Sequence, residues 1–238
     1  MARLAALLPD VPRFVETRWM LLGGYCEVLG LEEEAGAVSF VVRDREEKDV
    51  SVIGCPAPAA ILDAVARNGN TGEVWATPEN VSHVADALPG WEASPATLHF
   101  LGEGARLPKA PEGRVRFMGP SEARLLKHVP LDLRSWLARA LRRRSPLAAA
   151  FVGGVPISFC IAVETEGLWD VSIDTLAGYR RRGHAAWCAA YMIRHQRQRG
   201  REPVWGALES NLPSMNLAVK LGFVPVDRIF VFERAQSR

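Results

Sequence analysis

The chain has 238 residues, of which 48% are hydrophobic and 24% charged, and its formal net charge is +2. That length suits one large domain or two small ones, and that apolar fraction suits a chain that buries a core. No acidic or basic block dominates, so wholesale binding to nucleic acid or to an anionic membrane is not expected.

The opening apolar stretch, Met1 to Leu8, is too short for a signal peptide or a membrane span and runs into Pro9-Asp10. Cys26, Cys55, Cys160 and Cys188 form no C-x-x-C pair and read as small buried hydrophobes. A protein of a reducing compartment, most simply the cytoplasm, is expected. Strands are predicted at Glu34 to Arg43, Asp49 to Ile53, Glu73 to Ala76 and Ala96 to Leu101, where β-branched and aromatic residues concentrate. Helices are predicted between them, Ala57 to Asn68 and Pro78 to Leu88, from apolar residues at helical spacing. Residues 102–113, GEGARLPKAPEG, read as a linker or long loop. The expected division is therefore an N-terminal α/β domain over 1–112 and a second domain over 113–238.

The second half opens with a strand at Val115 to Met118 and a short helix capped by Ser121 and ending before Pro130. Leu133 to Arg143 is an amphipathic helix whose arginines form its wet face and complement its C-terminal dipole. Leu147 to Val152 and Val155 to Val163 make a hairpin across Gly153-Gly154, and Trp169 to Thr175 follows as a third strand. A helix from Gly183 to Arg199 stops at Gly200, then come a strand at Val204 to Leu208, a helix at Pro213 to Leu221 and a strand at Val224 to Phe232. This order predicts a mixed α/β sheet.

The halves echo one another. Asp49-Val-Ser-Val resembles Asp170-Val-Ser-Ile, Val74-Trp75 resembles Val204-Trp205, and Asn80, Ser82 and Leu88-Pro89-Gly90-Trp91 resemble Asn211, Ser214 and Leu221-Gly222-Phe223. Two accounts stay open: two copies of one fold, with only the second keeping a ligand loop, or chance similarity of short apolar strings.

The chemistry-bearing stretch is Tyr179-Arg180-Arg181-Arg182-Gly183-His184-Ala185, after a predicted strand and at the start of a predicted helix. A helix N-terminus leaves its first amides unpaired and partly positive, and Gly183 allows close backbone approach, so this turn can hold a pyrophosphate. Further on stand Asn211, Ser214 and Leu221-Gly222-Phe223.

Together these motifs resemble those of the GNAT superfamily of acyl-CoA-dependent N-acyltransferases, over residues 113 to 238. They show Arg/Gln-x-x-Gly-x-Gly/Ala after a strand, then Asn-x-x-Ser and Leu-Gly-Phe. The whole chain resembles the bacterial branch with an added N-terminal domain. The resemblance implies a GNAT-like fold, in tandem if the first half is a degenerate copy. It implies acetyl transfer from acetyl-CoA to an amine on a small molecule or peptide. Ile173, Asp174 and Thr175 would meet the pantetheine arm. Arg180, Arg181, Arg182, Gly183, His184 and Ala185 would hold the pyrophosphate, with Asn211 and Ser214 near the far end of the arm. In their own right Asn211 reads as a helix N-cap and Ser214 as a first-turn residue.

One departure matters: where many members carry a Tyr that protonates the leaving thiolate, this chain has Ala218. Asp174 is the first candidate for a catalytic base, with Glu164 and Glu209 as alternatives. No metal is expected; His184 and His195, 11 residues apart on one helix face, would lie about 16 Å apart, too far for joint ligation. Cys160 and Cys188 read as packing residues. The rival readings are a non-catalytic acyl-CoA sensor, which Ala218 favours, and a nucleic-acid or protein-binding module using Arg139 to Arg144 and Arg180 to Arg182.

Overall fold

The computed structural model describes residues 1–34 and 36–234, so Ala35, inside the predicted strand at 34–43, lies outside the described residues. The chain forms two compact units. The first takes Met1–Leu98, Gly206–Met215 and the described part of Pro225–Arg238; the second takes His99–Trp205 and Asn216–Val224. These units do not follow the division expected at residue 112, because the last strand returns to the first unit.

The first unit begins with α1 (Ala2–Leu7), a 3-10 turn (Pro12–Phe14) and α2 (Val15–Gly23), followed by the strands β1 (Cys26–Glu34), β2 (Ala37–Asp44) and β3 (Val50–Ile53). Next come α3 (Pro58–Arg67), β4 (Val74–Ala76), α4 (Val81–Ala87) and β5 (Trp91–Leu101). β1, β2 and β3 form an antiparallel meander, and β3 then pairs β4 in parallel. β11 (Phe223–Arg234) lies antiparallel to β4, with Phe230, Val231 and Phe232 against Ala76, Trp75 and Val74. Val41, Val52, Ile61, Val65, Val74, Val84 and Phe232 build the core between sheet and helices. A second cluster joins Leu4, Met20, Leu21, Phe40 and Ile53, and so anchors α1 and α2. The sequence pattern missed α1, α2 and β1. Each helix is a few turns at most, and β1 ends in exposed Glu32, Glu33 and Glu34, as an edge strand does.

The second unit holds β6 (Val115–Phe117), a 3-10 helix (Pro120–Leu126), α5 (Leu131–Arg142), β7 (Leu147–Val152), β8 (Val155–Glu164) and β9 (Leu168–Thr175). A 3-10 turn (Ala177–Tyr179), α6 (His184–Arg197), β10 (Glu202–Leu208) and α7 (Leu212–Leu221) follow in the chain, with β10 from Gly206 and α7 up to Met215 belonging to the first unit. β6 to β9 are successively antiparallel, and β9 pairs β10 in parallel. The predicted Gly153-Gly154 turn has φ of 57° and 81°, the left-handed pair that a two-residue hairpin needs. Phe159, Ile161, Leu137, Leu141 and Leu126 fill the core on one side of this sheet.

Three local expectations change. The helix expected to start at Ser121 is 3-10 and starts from Gly119, whose N–H donates to the Glu122 carboxylate at 3.1 Å. Residues 102–113 carry no regular element but are tied down. Gly102 N–H reaches Gly222 C=O at 2.9 Å, and Arg194 donates to the carbonyls of Leu107 and Pro108 at 2.9 and 3.0 Å. Cys55 is exposed, whereas the other three cysteines are buried. On α5, Arg142 is exposed but Arg139 is half-buried.

Both halves run through the same order: helices, three-stranded antiparallel meander, helix, parallel strand, helix, strand. The short echoes fare less well. Val74 stands against Val50, but Val204 stands against Asp170. If the Val-Trp strings are equivalent, the Asp-Val-Ser strings are out by one residue, a slip that exchanges faces. The duplication is one of topology, and at least one of these two echoes is coincidence.

At the start of β3 burial pushes the Asp49 carboxyl up to about 8, helped by the neighbouring Glu73, Glu47 and Asp44. An unfolded Asp titrates near ~3.9. The native chain therefore holds the extra proton, and this contribution to stability is complete below about pH 4 and lost as pH rises through 8. Asp49→Asn should remove that loss. In urea melts the variant should gain at least ~1 kcal/mol on the wild type between pH 4.5 and pH 9, a pKa unit being worth ~1.4 kcal/mol. Parallel pH profiles for the two proteins would count against the burial argument.

Candidate functional site

In the second unit β9 is paired along one side from Trp169 to Thr175, against Glu164 to Ser158 of β8. On the other side β10 accompanies it only at Leu168, Trp169 and Asp170, opposite Glu202, Pro203 and Val204. Beyond Asp170 the strands part. Leu176 N–H donates to Ile157 C=O at 3.0 Å, which fixes the phase of the β8–β9 ladder. Antiparallel alternation then turns the backbone groups of Ile173 and Thr175 away from β8, toward the side β10 has left. Thr175 C=O accepts Arg180 Nε at 2.9 Å, and the Thr175 hydroxyl is 2.6 Å from Ser158 Oγ, which donates to Asp174 C=O at 3.1 Å. The N–H and C=O of Ile173 are left as a strand edge that an extended ligand can join.

A 3-10 turn, Ala177–Tyr179, leads from this edge into the arginine loop. Arg180 is extended, Arg181 has φ 60° and Gly183 has φ 84°. Gly183 is glycine for its backbone angle, not for space, since a Cβ there would meet only the Trp187 ring at 3.8 Å. Arg181 has no such freedom and stores roughly 1–2 kcal/mol of strain. Arg180, Arg181 and Arg182 are exposed. Among the described residues the amides of Arg181, Arg182 and Gly183 make no backbone bond, and His184, Ala185 and Ala186 open α6, where no helical acceptor exists. Alternating left- and right-handed residues at the head of a 14-residue helix curve these N–H groups around one point, a cradle for an anion. A diphosphate linked to an extended arm fits the pair of features: amides and guanidinia for the charge, the β9 edge for the arm.

The candidate bases are separated by the fold. Asp174 is half exposed on β9, with Arg180 Nη2 3.8 Å from its carboxylate. Glu164 pairs with Trp169 at the opposite end of the β8–β9 ladder, where Gln196 Nε2 donates to it at 2.5 Å. Six residues of strand, about 20 Å, keep it from the bared edge, so it is no base for that end. Glu209 belongs to the first unit and accepts from Thr97 Oγ1 at 2.9 Å and Arg228 Nη2 at 2.8 Å. Asn211 is exposed ahead of α7, and its Oδ1 accepts Ser214 N–H at 3.2 Å, a capping bond. Ala218 is fully buried. Burial pushes the Cys188 thiol up to about 12 and the Cys160 thiol well above its usual range, so neither is a ready nucleophile. His195 packs edge-on against Phe117 at 4.5 Å. Among the described residues there is no group of three His, Cys, Asp or Glu side chains placed to hold a metal, and no helix long and apolar enough to cross a membrane.

The first unit handles the equivalent place differently. β3 and β4 also part early, after Ser51 and Trp75. Here the gap is closed from within: buried Asn80 donates from Nδ2 to Val52 C=O at 3.0 Å and Gly54 C=O at 2.8 Å, and accepts Thr77 N–H at 2.8 Å. The turn into α3 is Gly54-Cys55-Pro56-Ala57-Pro58, with no arginine and with two residues that have no N–H. Sequence reading paired Asn80 with Asn211 but could not see that one is buried and saturated while the other is exposed.

The GNAT acetyltransferase family model matches residues 153–231. No curated protein matches the chain. Among solved structures it is similar to a GCN5-related N-acetyltransferase-like protein from Streptococcus suis 89/1591, at 18% identity and TM-score 0.70, over 97% of this chain and 96% of that one. It is similar to a GCN5-related N-acetyltransferase from Kribbella flavida, at 12% identity and TM-score 0.56, over 99% and 96% of the two chains. It also matches a tandem GNAT protein from the clavulanic acid biosynthesis pathway, at 16% identity and TM-score 0.58, over 100% and 94%. These likenesses agree with the mixed sheet and with the repeated element order.

Among the described residues the arginine-flanked cradle of amides lies in the second unit, so calorimetric titration with a diphosphate ligand should give one site per chain. Gly183→Asp should lower the affinity at least tenfold. Gly183→Asn, which tolerates positive φ equally well but adds no charge, should retain most of it. Two equal sites, or indifference to Gly183→Asp, would contradict this geometry.

Proposed function

We propose that the chain, whose residues 153–231 match the GNAT acetyltransferase family model, transfers an acetyl group from acetyl-CoA to an amine acceptor. The observation that carries this reading is the bared edge of β9 at Ile173 followed, after the Ala177–Tyr179 turn, by six successive amides, 181–186, that make no backbone bond among the described residues. The backbone of Ile173 would pair with the pantetheine arm, and the amides of Arg181 to Ala185, with the guanidinia of Arg180 to Arg182, would take the diphosphate. Asn211 and Ser214 belong to the same reading as groups toward the far end of the arm. The acceptor is a small-molecule or peptide amine. The cytoplasm is the proposed location, in keeping with four free cysteines.

Bound acyl-CoA supplies an activated thioester carbonyl, which the neutral amine attacks directly. The chain's part is positional and electrostatic. Gripping the arm along β9 holds the reacting centre in place, which supplies much of the rate in a two-substrate reaction. A strand-end amide can stabilise the developing oxyanion. An alkylamine is mostly protonated at neutral pH, with pKa ~10.4, so a proton must leave it first. Asp174 is the proposed acceptor of that proton, directly or through water. Arg180 bridges the Asp174 carboxylate and the Thr175 carbonyl, so it fixes the strand end beside the base. Ala218 gives no phenol to the departing thiolate; a thiol of pKa ~8.5 leaves without strong acid assistance.

A second reading, a non-catalytic acyl-CoA sensor, is favoured by that buried methyl group at position 218. Two measurements separate the readings. Acetyl-CoA should raise the melting temperature of the wild type and not of Gly183→Asp. Thiol release over a broad amine panel should then appear for the wild type and fall at least tenfold in Asp174→Asn. Binding without release for every amine would establish the sensor. Release that keeps the same rate and pH profile in Asp174→Asn would remove Asp174 as the base.

A further inference from the structure

The three arginines of the loop are not alike. Arg182 lies with its guanidinium carbon 6.0 Å from the centre of the Tyr179 ring. Arg181 is exposed, and among the described residues its side chain makes no hydrogen bond or ion pair. Arg180 turns back on the strand it follows. The 3-10 turn Ala177–Tyr179, with Tyr179 N–H on Leu176 C=O at 2.8 Å, reverses the chain and brings residue 180 level with the end of β9. From there Nε donates to Thr175 C=O at 2.9 Å, and Nη2 lies 3.8 Å from the Asp174 carboxylate.

These two contacts differ in weight. The ion pair joins side chains that are 63% and 40% exposed, and such pairs contribute little. The hydrogen bond is part-buried and charge-assisted, and its acceptor is a backbone carbonyl that β10 does not reach. It completes a lock on the strand end. Ser158 Oγ holds Asp174 C=O at 3.1 Å and lies 2.6 Å from the Thr175 hydroxyl, while Arg180 holds Thr175 C=O. The peptide planes after Asp174 and Thr175 are thereby fixed, and Ile173 is left extended with its own N–H and C=O toward the open side.

We propose that Arg180 is a positioning residue for the ligand's extended arm: its Nε–H, and not its charge, holds the β9 edge in the conformation that pairs the arm, while Arg181 gives its charge to the diphosphate. Arg180 thus acts through the strand, and of the guanidinia beside the cradle it is the one already committed elsewhere. This role rests on the loop being the cofactor site, as proposed above. Donor and charge can be removed separately. Arg180→Gln places Nε2 as many bonds from Cα as the arginine Nε, so the donor stays and the charge goes. Arg180→Lys places a methylene there, so the charge stays and the donor goes.

The measurement is acetyl-CoA affinity by titration calorimetry, well below the ligand-free melting temperature of every variant, so that a merely structural effect does not register. Arg180→Gln should bind within about twofold of the wild type, and Arg180→Lys about fivefold weaker, the worth of one hydrogen bond. Arg180→Met, which reaches as far and has no donor, should match Arg180→Lys and replaces it if that variant does not fold. One residue on, the order should reverse: Arg181→Lys should bind like the wild type and Arg181→Gln about fivefold weaker, since there the charge is what the ligand meets. Arg180→Lys binding as well as or better than Arg180→Gln overturns the positioning role and makes Arg180 one more cation of the cradle, with the cofactor site intact. The same order at 181 as at 180 also overturns it, because loss of a donor would then weaken either arginine alike. Absence of acetyl-CoA binding by the wild type overturns both the role and the cofactor site.

Discussion

A β-strand that loses its neighbour part-way along must still satisfy its backbone. In the second unit β10 leaves β9 after three residue pairs, and no other strand takes its place beside Ile173 and Thr175. Arg180 reaches back to Thr175 C=O, but among the described residues no backbone bond from the open side meets Ile173. The site follows from this incompleteness. A bared edge is a template for an extended partner, and here it ends in a helix N-terminus, so the partner it selects is a linear arm ending in an anion. Gly183 and the strained Arg181 are needed only to bend the amides to that end.

The first unit shows what the same topology becomes when the deficiency is repaired internally. Asn80 spends both its donors on Val52 and Gly54, and Pro56 and Pro58 remove two of the amides that would face an anion. A buried side-chain amide that meets its partners stabilises the fold, whereas a ligand site must leave groups unmet. The two units therefore divide the requirement. One is closed and well packed, and takes the C-terminal strand β11 against its own β4. The unit that pairs β11 also holds Arg13 in a double fork, to Asp227 at 2.6 and 2.7 Å and to Glu79 at 2.8 and 2.9 Å. That fork fastens the last strand to the opening segment of the chain.

Much of the second unit was legible in the sequence because its punctuation is chemical: Gly153-Gly154, Gly183, Gly200 and Gly222 each mark a place where the backbone has positive φ. Gly222 is doubly constrained, since a Cβ there would come within 2.8 Å of Ala105. The opening of the first unit was not legible. β1 carries an acidic run that masks its period, and α1 and α2 bury Leu4, Met20 and Leu21 through tertiary packing that no local pattern announces. The loop motif pointed to the candidate site, but three things lay beyond any linear reading. These are the parting of β9 and β10, the closing role of Asn80, and the distance that removes Glu164. The Asp-Val-Ser and Val-Trp echoes disagree with each other by one residue, because similarity of short apolar strings does not carry register.

The arrangement of charge explains why the chain has little need of an acid or a nucleophile of its own. Its buried thiols are held protonated by their surroundings, and position 218 carries a buried methyl group. What remains is a fixed positive cradle, a strand edge and one carboxylate, Asp174, with a guanidinium 3.8 Å away. Such a set can orient two reactants and remove a proton, and for amine attack on a thioester that is sufficient, because the leaving thiol is already a weak base. The same set also binds without reacting if the acceptor is absent. Enzyme and sensor therefore differ here in the partner supplied to Asp174 and not in the cradle, and substitutions in the loop will move binding in either case.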